Sequence, residues 1–165
     1  ALWQPIVASM PDKQWIFTVS PIRHIKDGLH ANQLSKAILL QAIDQLCRLS
    51  TRCHQLSYFP AYEIMMDELR DYRFYADDMI HPSRIAIEYI WLCFSNCYFN
   101  LETRTIMQEW EEIKKGLAHK PYAPESEAYR SFLSQIVLKI ARMKEKMPYL
   151  EVQKEIELCE SRLKM

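Results

Sequence analysis

Glycine is nearly absent. Only Gly28 and Gly116 occur in 165 residues, where the usual share of about 7% would supply roughly a dozen. That excludes collagen-like and flexible-linker classes and disfavours a turn-rich all-β sandwich. The five cysteines, Cys47, Cys53, Cys93, Cys97 and Cys159, form no CxxC pair and are too few for a disulfide framework. Cys93 and Cys97 lie four apart on one helix face, but two ligands do not make a zinc site. Free thiols are therefore expected, and with them a reducing compartment and a cytoplasmic location. Net charge is absent as well: 21 basic residues balance 21 acidic ones, so nothing advertises a nucleic-acid partner. No apolar run reaches membrane length. The most apolar stretch, Ile85 to Leu101, is short and includes Glu88, Asn96 and Asn100, which predicts a soluble buried helix and no membrane partner. The opening ALWQPIVASM lacks the basic flank and long apolar core of a signal peptide.

What is present suits a folded chain. Apolar residues make up 49% of the sequence, ample for a core, so wholesale disorder is excluded. The length fits one domain, or one domain with an appendage. Charge is unevenly spread. Residues 1–60 carry 6 Lys/Arg and 3 Asp, residues 61–112 carry 4 basic and 11 acidic groups, and residues 113–165 carry 11 basic and 7 acidic. The middle segment is thus acidic between two basic ones, a pattern of solvated faces or of an acidic segment that docks on a basic surface.

The run Trp15 to Val19, ended by Ser20-Pro21, reads as a buried strand. Asn32 is placed to cap a helix, and Leu34, Ile38, Leu39, Ala42, Ile43, Leu46, Leu49 and Cys53 keep helical spacing to about Leu56. Tyr58 to Met66 predicts a second strand with proline near its start. Residues 67–83 hold no sustained period and predict a loop. A helix is expected from about Pro82 to Leu101, with proline in its first turn. From Glu102 onward the chain reads as charged helices: one to about Leu117, one after Pro121 and Pro124 to Met147, and a last one through Val152, Ile156, Cys159 and Leu163. The last two have narrow apolar seams and should pair as an antiparallel hairpin. The expected organisation is an α/β part over residues 1–101 and a helical tail over 102–165. Strands alternating with helices imply a parallel sheet, whose carboxyl ends hold ligand chemistry. Position therefore singles out Ser20 to Gly28 and Asp67 to His81.

In the second segment, Asp78 and His81 are three apart around a loop-to-helix turn. A carboxylate on one imidazole nitrogen fixes the ring's tautomer and leaves the other nitrogen as a general base for a hydroxyl. Asp27 and His30 share the spacing, and each pair also fits a capping aspartate beside a surface histidine. Ser20, Arg23 and His24 follow the first strand and, with Asp77, are candidates to line a substrate pocket. A metal site from Glu63, Asp67, Asp77, Asp78 and His81 would lack a second histidine or thiolate at ligand spacing, so no metal is expected. Nothing in the sequence calls for a cofactor.

The strings FTVSPIRHIKDG (17–28), NQLSKAILLQAI (32–43), YFPAYEIMMDELRDYRFYADDMIHPS (58–83) and AIEYIW (86–91) together resemble the GSCFA domain family, itself similar to the SGNH hydrolases. The resemblance spans about residues 10–100. In SGNH-like enzymes the last catalytic block is Asp-x-x-His, between the last strand and a closing helix. It implies His81 as general base and Asp78 as its orienting partner, and prefers this pair to Asp27 and His30. The fold it implies is a partial SGNH or flavodoxin-like three-layer α/β fold of two parallel strands with helices, followed by the helical extension.

The sequence departs from the family pattern in one respect. The Gly-Ser-Cys-Phe-Ala string with the nucleophilic serine is absent, as are the blocks supplying an oxyanion hole. The resemblance thus implies the C-terminal half of such a domain: a fragment of a serine hydrolase or acyl-transfer enzyme acting on small or carbohydrate acyl esters, inactive alone. A sheet of two strands would be completed by self-association or by the missing half. The other expectation is a non-catalytic helical module for interaction or dimerisation.

Overall fold

The computed structural model describes residues 3–49 and 55–164, except the side chains of Gln4 and Leu49. It divides into two compact units, residues 1–98 and 99–165.

In the first unit a short helix, α1 (Trp3–Ser9), precedes strand β1 (Trp15–Phe17). Helix α2 (Leu29–Leu49) leads toward strand β2 (Leu56–Tyr58). The strands pair in parallel, with Trp15 opposite Leu56 and Phe17 opposite Tyr58. Trp15 N–H donates to Gln55 O and Phe59 N–H to Phe17 O, both at 2.8 Å. Trp3 sets its ring edge-on against Trp15 and Phe17, which packs α1 on the strand.

The second strand is shorter than its sequence predicts, and residues 61–66 are helical instead of extended. Pro60 cannot donate to a ladder, and the chain turns there into α3 (Ala61–Glu63), which runs into a π-helical turn at Ile64–Glu68. This places Phe59, Ala61, Ile64, Met65 and Leu69 in one core with Ala86 of α4 (Arg84–Tyr98). Phe59 meets Phe94 edge-on at 5.1 Å, and Tyr98 closes the aromatic group. Helix α4 starts two residues later than expected. Pro82 pairs with Tyr75 in an antiparallel bridge instead, and Ser83 O accepts from Ile87 N–H in the first turn.

Helix α2 differs from the sequence reading in both start and orientation. It begins at Leu29, three residues before Asn32, so Asn32 does not cap it. Gly28, with φ at 86°, supplies the turn into the helix. The buried side of α2 carries Asn32 and Lys36, whereas Leu34, Ile38 and Leu39 are exposed. The polar pair is inside because it serves the backbone: Asn32 Oδ1 accepts from His24 N–H, and Lys36 Nζ donates to Ser20 O at 2.6 Å. Cys53, and the predicted end of this helix, lie outside the described residues.

The second unit follows the helical reading closely. Helix α5 (Leu101–Ala118) is capped by Asn100, whose side chain accepts from Thr103 N–H. Helix α6 (Glu127–Lys146) is capped in the same way by Ser126, and α7 (Gln153–Leu163) follows Pro148. Leu133, Ile136, Ile140, Met143, Ile113 and Cys159 form the core. Arg162, late in α7, donates to Leu117 O and reaches the Tyr129 hydroxyl early in α6, so α6 and α7 are antiparallel. Gly116 lets α5 approach α6: a Cβ there would lie 2.8 Å from Ile136 Cδ1. Both glycines thus stand where a side chain is unwelcome. The α/β reading holds in its partial form, two parallel strands with helices followed by a helical part. No helix among the described residues is long and apolar enough to cross a membrane.

Candidate functional site

The site is built on the loop between residues 75 and 83. The Tyr75–Pro82 bridge closes its neck, Ala76 N–H donates to His81 O at 2.8 Å, and Ser83 N–H donates to Phe74 O at 2.7 Å. Within this frame Met79 takes a left-handed conformation, φ 61°. That conformation is costly for a side chain larger than glycine, on the order of 1–3 kcal/mol, and such strain persists where surrounding bonds over-determine it. Here Met79 N–H donates to Ala76 O at 2.9 Å, and Met79 O accepts from Arg23 Nη1 at 3.3 Å.

The turn brings Asp78 back onto the residues that follow it. Asp78 Oδ1 accepts from the backbone N–H of Ile80 at 2.9 Å and of His81 at 3.0 Å. Its Oδ2 lies 2.6 Å from His81 Nδ1. The backbone N–H of His81, then that of Ile80, then the imidazole hold the carboxyl down at about 2. A carboxylate charged at neutral pH accepts from Nδ1–H, so Nε2 carries the lone pair. Nε2 makes no hydrogen bond among the described residues, and the His81 side chain is 56% exposed. An imidazole so oriented can take a proton from a hydroxyl.

Arg23 is the second anchor of this loop. Its backbone N–H donates to Ile80 O at 3.3 Å, and its guanidinium lies 4.0 Å over the Tyr75 ring. The segment carrying Arg23 is itself held by Lys36 on Ser20 O and by Asn32 on His24 N–H. Lys36 is 2% exposed, and burial pushes its amine below the ordinary lysine value.

The structure therefore brings Asp78, His81 and Arg23 together. Ser20 sits one layer behind: its Oγ accepts from Ile22 N–H and its carbonyl holds Lys36. The His24 and Asp77 side chains are exposed and meet no partner among the described residues. Asp27 lies in a short 3-10 turn, and no hydrogen bond joins it to His30. The spacing shared by the two Asp-x-x-His pairs becomes a contact in only one. Glu63 accepts from the Tyr58 hydroxyl at 2.7 Å and is not near a metal-ligating set; no group of three such side chains converges among the described residues. Tyr75, Met79, Asn32 and Lys36 escape a reading by motif. For the α2 pair a signal existed, since 32, 36, 40, 43 and 47 form a helical stripe that is polar at its N-terminal end. Nothing in the sequence marks Met79 as left-handed.

Two family profiles match this chain. Residues 1–94 match the GSCFA family, and residues 110–165 match the C-terminal domain of GSCFA domain proteins. No curated protein and no solved structure matches it.

Proposed function

The chain belongs to the GSCFA family, and from that membership we propose that Asp78 and His81 form the base half of an SGNH-type acyl-ester site. His81 Nε2 would deprotonate a serine hydroxyl that attacks an ester carbonyl, while Asp78 holds the ring and stabilises the imidazolium. The substrates would be small acyl esters or acylated carbohydrates, and the outcome hydrolysis or acyl transfer. The observation that carries the reading is the 2.6 Å Asp78–His81 contact on a loop that leaves Nε2 open. The 165 residues contain no Gly-x-Ser string, and no serine hydroxyl bonds His81 among the described residues. This stretch alone should therefore be close to inert.

A chromogenic acetyl ester tests this on the 165-residue chain and on the longest reading frame that contains it. The chain alone should stay at background. The longer protein should turn the ester over, with at least about a 100-fold loss in His81→Ala. Turnover indifferent to His81→Ala, or His81-dependent turnover by the chain alone, would contradict the proposal.

A second reading is favoured by the outward apolar residues Leu29, Leu34, Ile38 and Leu39 of α2. On this reading the chain is an interaction or dimerisation module, with these side chains as the contact.

A further inference from the structure

Beside the Asp78–His81 loop lies a cavity of about 290 Å³ that the proton-transfer reading does not use. Its floor includes Met65 and Met66 from the π-helical turn. Its walls include Arg23 from the segment after β1, and Arg70, Asp71 and Tyr75 from the strap leading to the loop. Met65 is fully buried and Tyr75 half-buried, so the floor and one wall are formed by packed side chains.

The electrostatics are unbalanced. Two guanidinium groups face one carboxylate, and Asp71 is engaged as a cap, its Oδ1 accepting from Arg73 N–H at 3.0 Å. Arg70 has no hydrogen bond or ion pair among the described residues. Arg23 has no carboxylate partner either: it stacks on Tyr75 and gives one N–H to Met79 O. A guanidinium carries five N–H donors, so most of Arg23's remain unused. Arg48 is paired with Asp44 and Arg84 with Glu88, whereas Arg23 and Arg70, neither with a carboxylate partner among the described residues, line one and the same cavity. The stacked ring fixes the plane of Arg23, which lowers the cost of presenting its donors in a fixed direction.

We infer that this cavity binds a compact oxyanion, a carboxylate or a phosphate, carried by the ester substrate. Arg23 and Arg70 supply the charge-assisted donors. The methionine floor and the Tyr75 ring accommodate the apolar face of the group that bears the anion. Because Arg23 also holds Met79 O, two residues before His81, the anion would be anchored next to the base. This assignment rests on the proposed acyl-ester reading and narrows the substrate to acyl esters that carry a negative charge, such as an acylated sugar acid or sugar phosphate.

Binding is read directly, without turnover. The Nε–H resonances of ¹⁵N-labelled chain are followed while sodium glucuronate, inorganic phosphate or neutral glucuronamide is added at constant ionic strength. Saturable shifts of Arg23 and Arg70 are expected with glucuronate, with phosphate, or with both, and none with glucuronamide. A response to one anion alone assigns the carboxylate or the phosphate source. Arg70→Gln, which removes an exposed and unbonded guanidinium, should weaken binding at least about fivefold. Arg142→Gln, in the second unit, should leave binding unchanged. No saturable shift with either anion, equal shifts with glucuronamide, or undiminished affinity in Arg70→Gln would overturn the inference. None of these results depends on His81, so an esterase that survives them would retain the base assignment and lose only the anion site.

Discussion

Asp78 shows how a carboxylate can be held by main chain first and by its functional partner second. Two backbone N–H groups on Oδ1 contribute more to its low pKa than the imidazole on Oδ2 does. A carboxyl NMR titration should therefore place the Asp78 midpoint near 2, and in His81→Ala it should stay well below the ordinary 3.8. A return to the ordinary value in that variant would show that the imidazole alone is responsible. The sign for stability follows from the same shift. The folded pKa is depressed, so the contribution of Asp78 is present above about pH 4 and is lost as pH falls through about 2. Asp78→Asn should flatten that part of the acid-unfolding curve. At this scale the Asp-x-x-His spacing was legible, but it was legible twice. Place in the chain, before the closing helix, favours Asp78–His81; the closed neck of the loop and the left-handed Met79 then separate it structurally from Asp27–His30, and neither of those features has a residue-type signature.

Among the elements, the three helices of the second unit follow their periodicity because each buries one narrow apolar stripe. Asn100 and Ser126 cap two of them by ordinary chemistry. Leu133, fully buried at the centre of α6, should be among the most sensitive positions. Leu133→Ala should cost about 2–5 kcal/mol in denaturant unfolding, and a loss below about 1 kcal/mol would contradict the packing described. Helix α2 is the element that sequence pattern misplaces. Its apolar stripe through Leu34 and Ile38 turns outward, because Asn32 and Lys36 are drawn inside to satisfy the backbone around Ser20 and His24. The second strand departs from its sequence pattern for a related reason. The run after Tyr58 is apolar enough for a strand, yet Pro60 turns it into the helix that supplies Ile64 and Met65 to the core. Short apolar runs are ambiguous in this way whenever length does not arbitrate.

For the whole molecule, β1 and β2 form a sheet of two strands, each with an unpaired edge among the described residues. Such a sheet is marginal by itself, and open edges invite further pairing. With Leu29, Leu34, Ile38 and Leu39 also exposed, the isolated chain should associate with a second copy. Size-exclusion chromatography with light scattering should report a mass above the 19.7 kDa of one chain; a clean monomer at high concentration would contradict this. The partial α/β architecture and the helical second unit were legible in composition and periodicity. The inward and outward faces of α2 were not, since they depend on backbone groups that the fold brings together.

The central claim is that Asp78 fixes the His81 ring with its proton on Nδ1 and leaves Nε2 free to act as a base. Long-range ¹H–¹⁵N correlation spectra of the imidazoles, recorded above about pH 8 where an ordinary histidine is neutral, read this directly. The account predicts His81 as the Nδ1–H tautomer, reverting to a mixture in Asp78→Asn. A His81 protonated on Nε2, or a tautomer indifferent to Asp78→Asn, would contradict it.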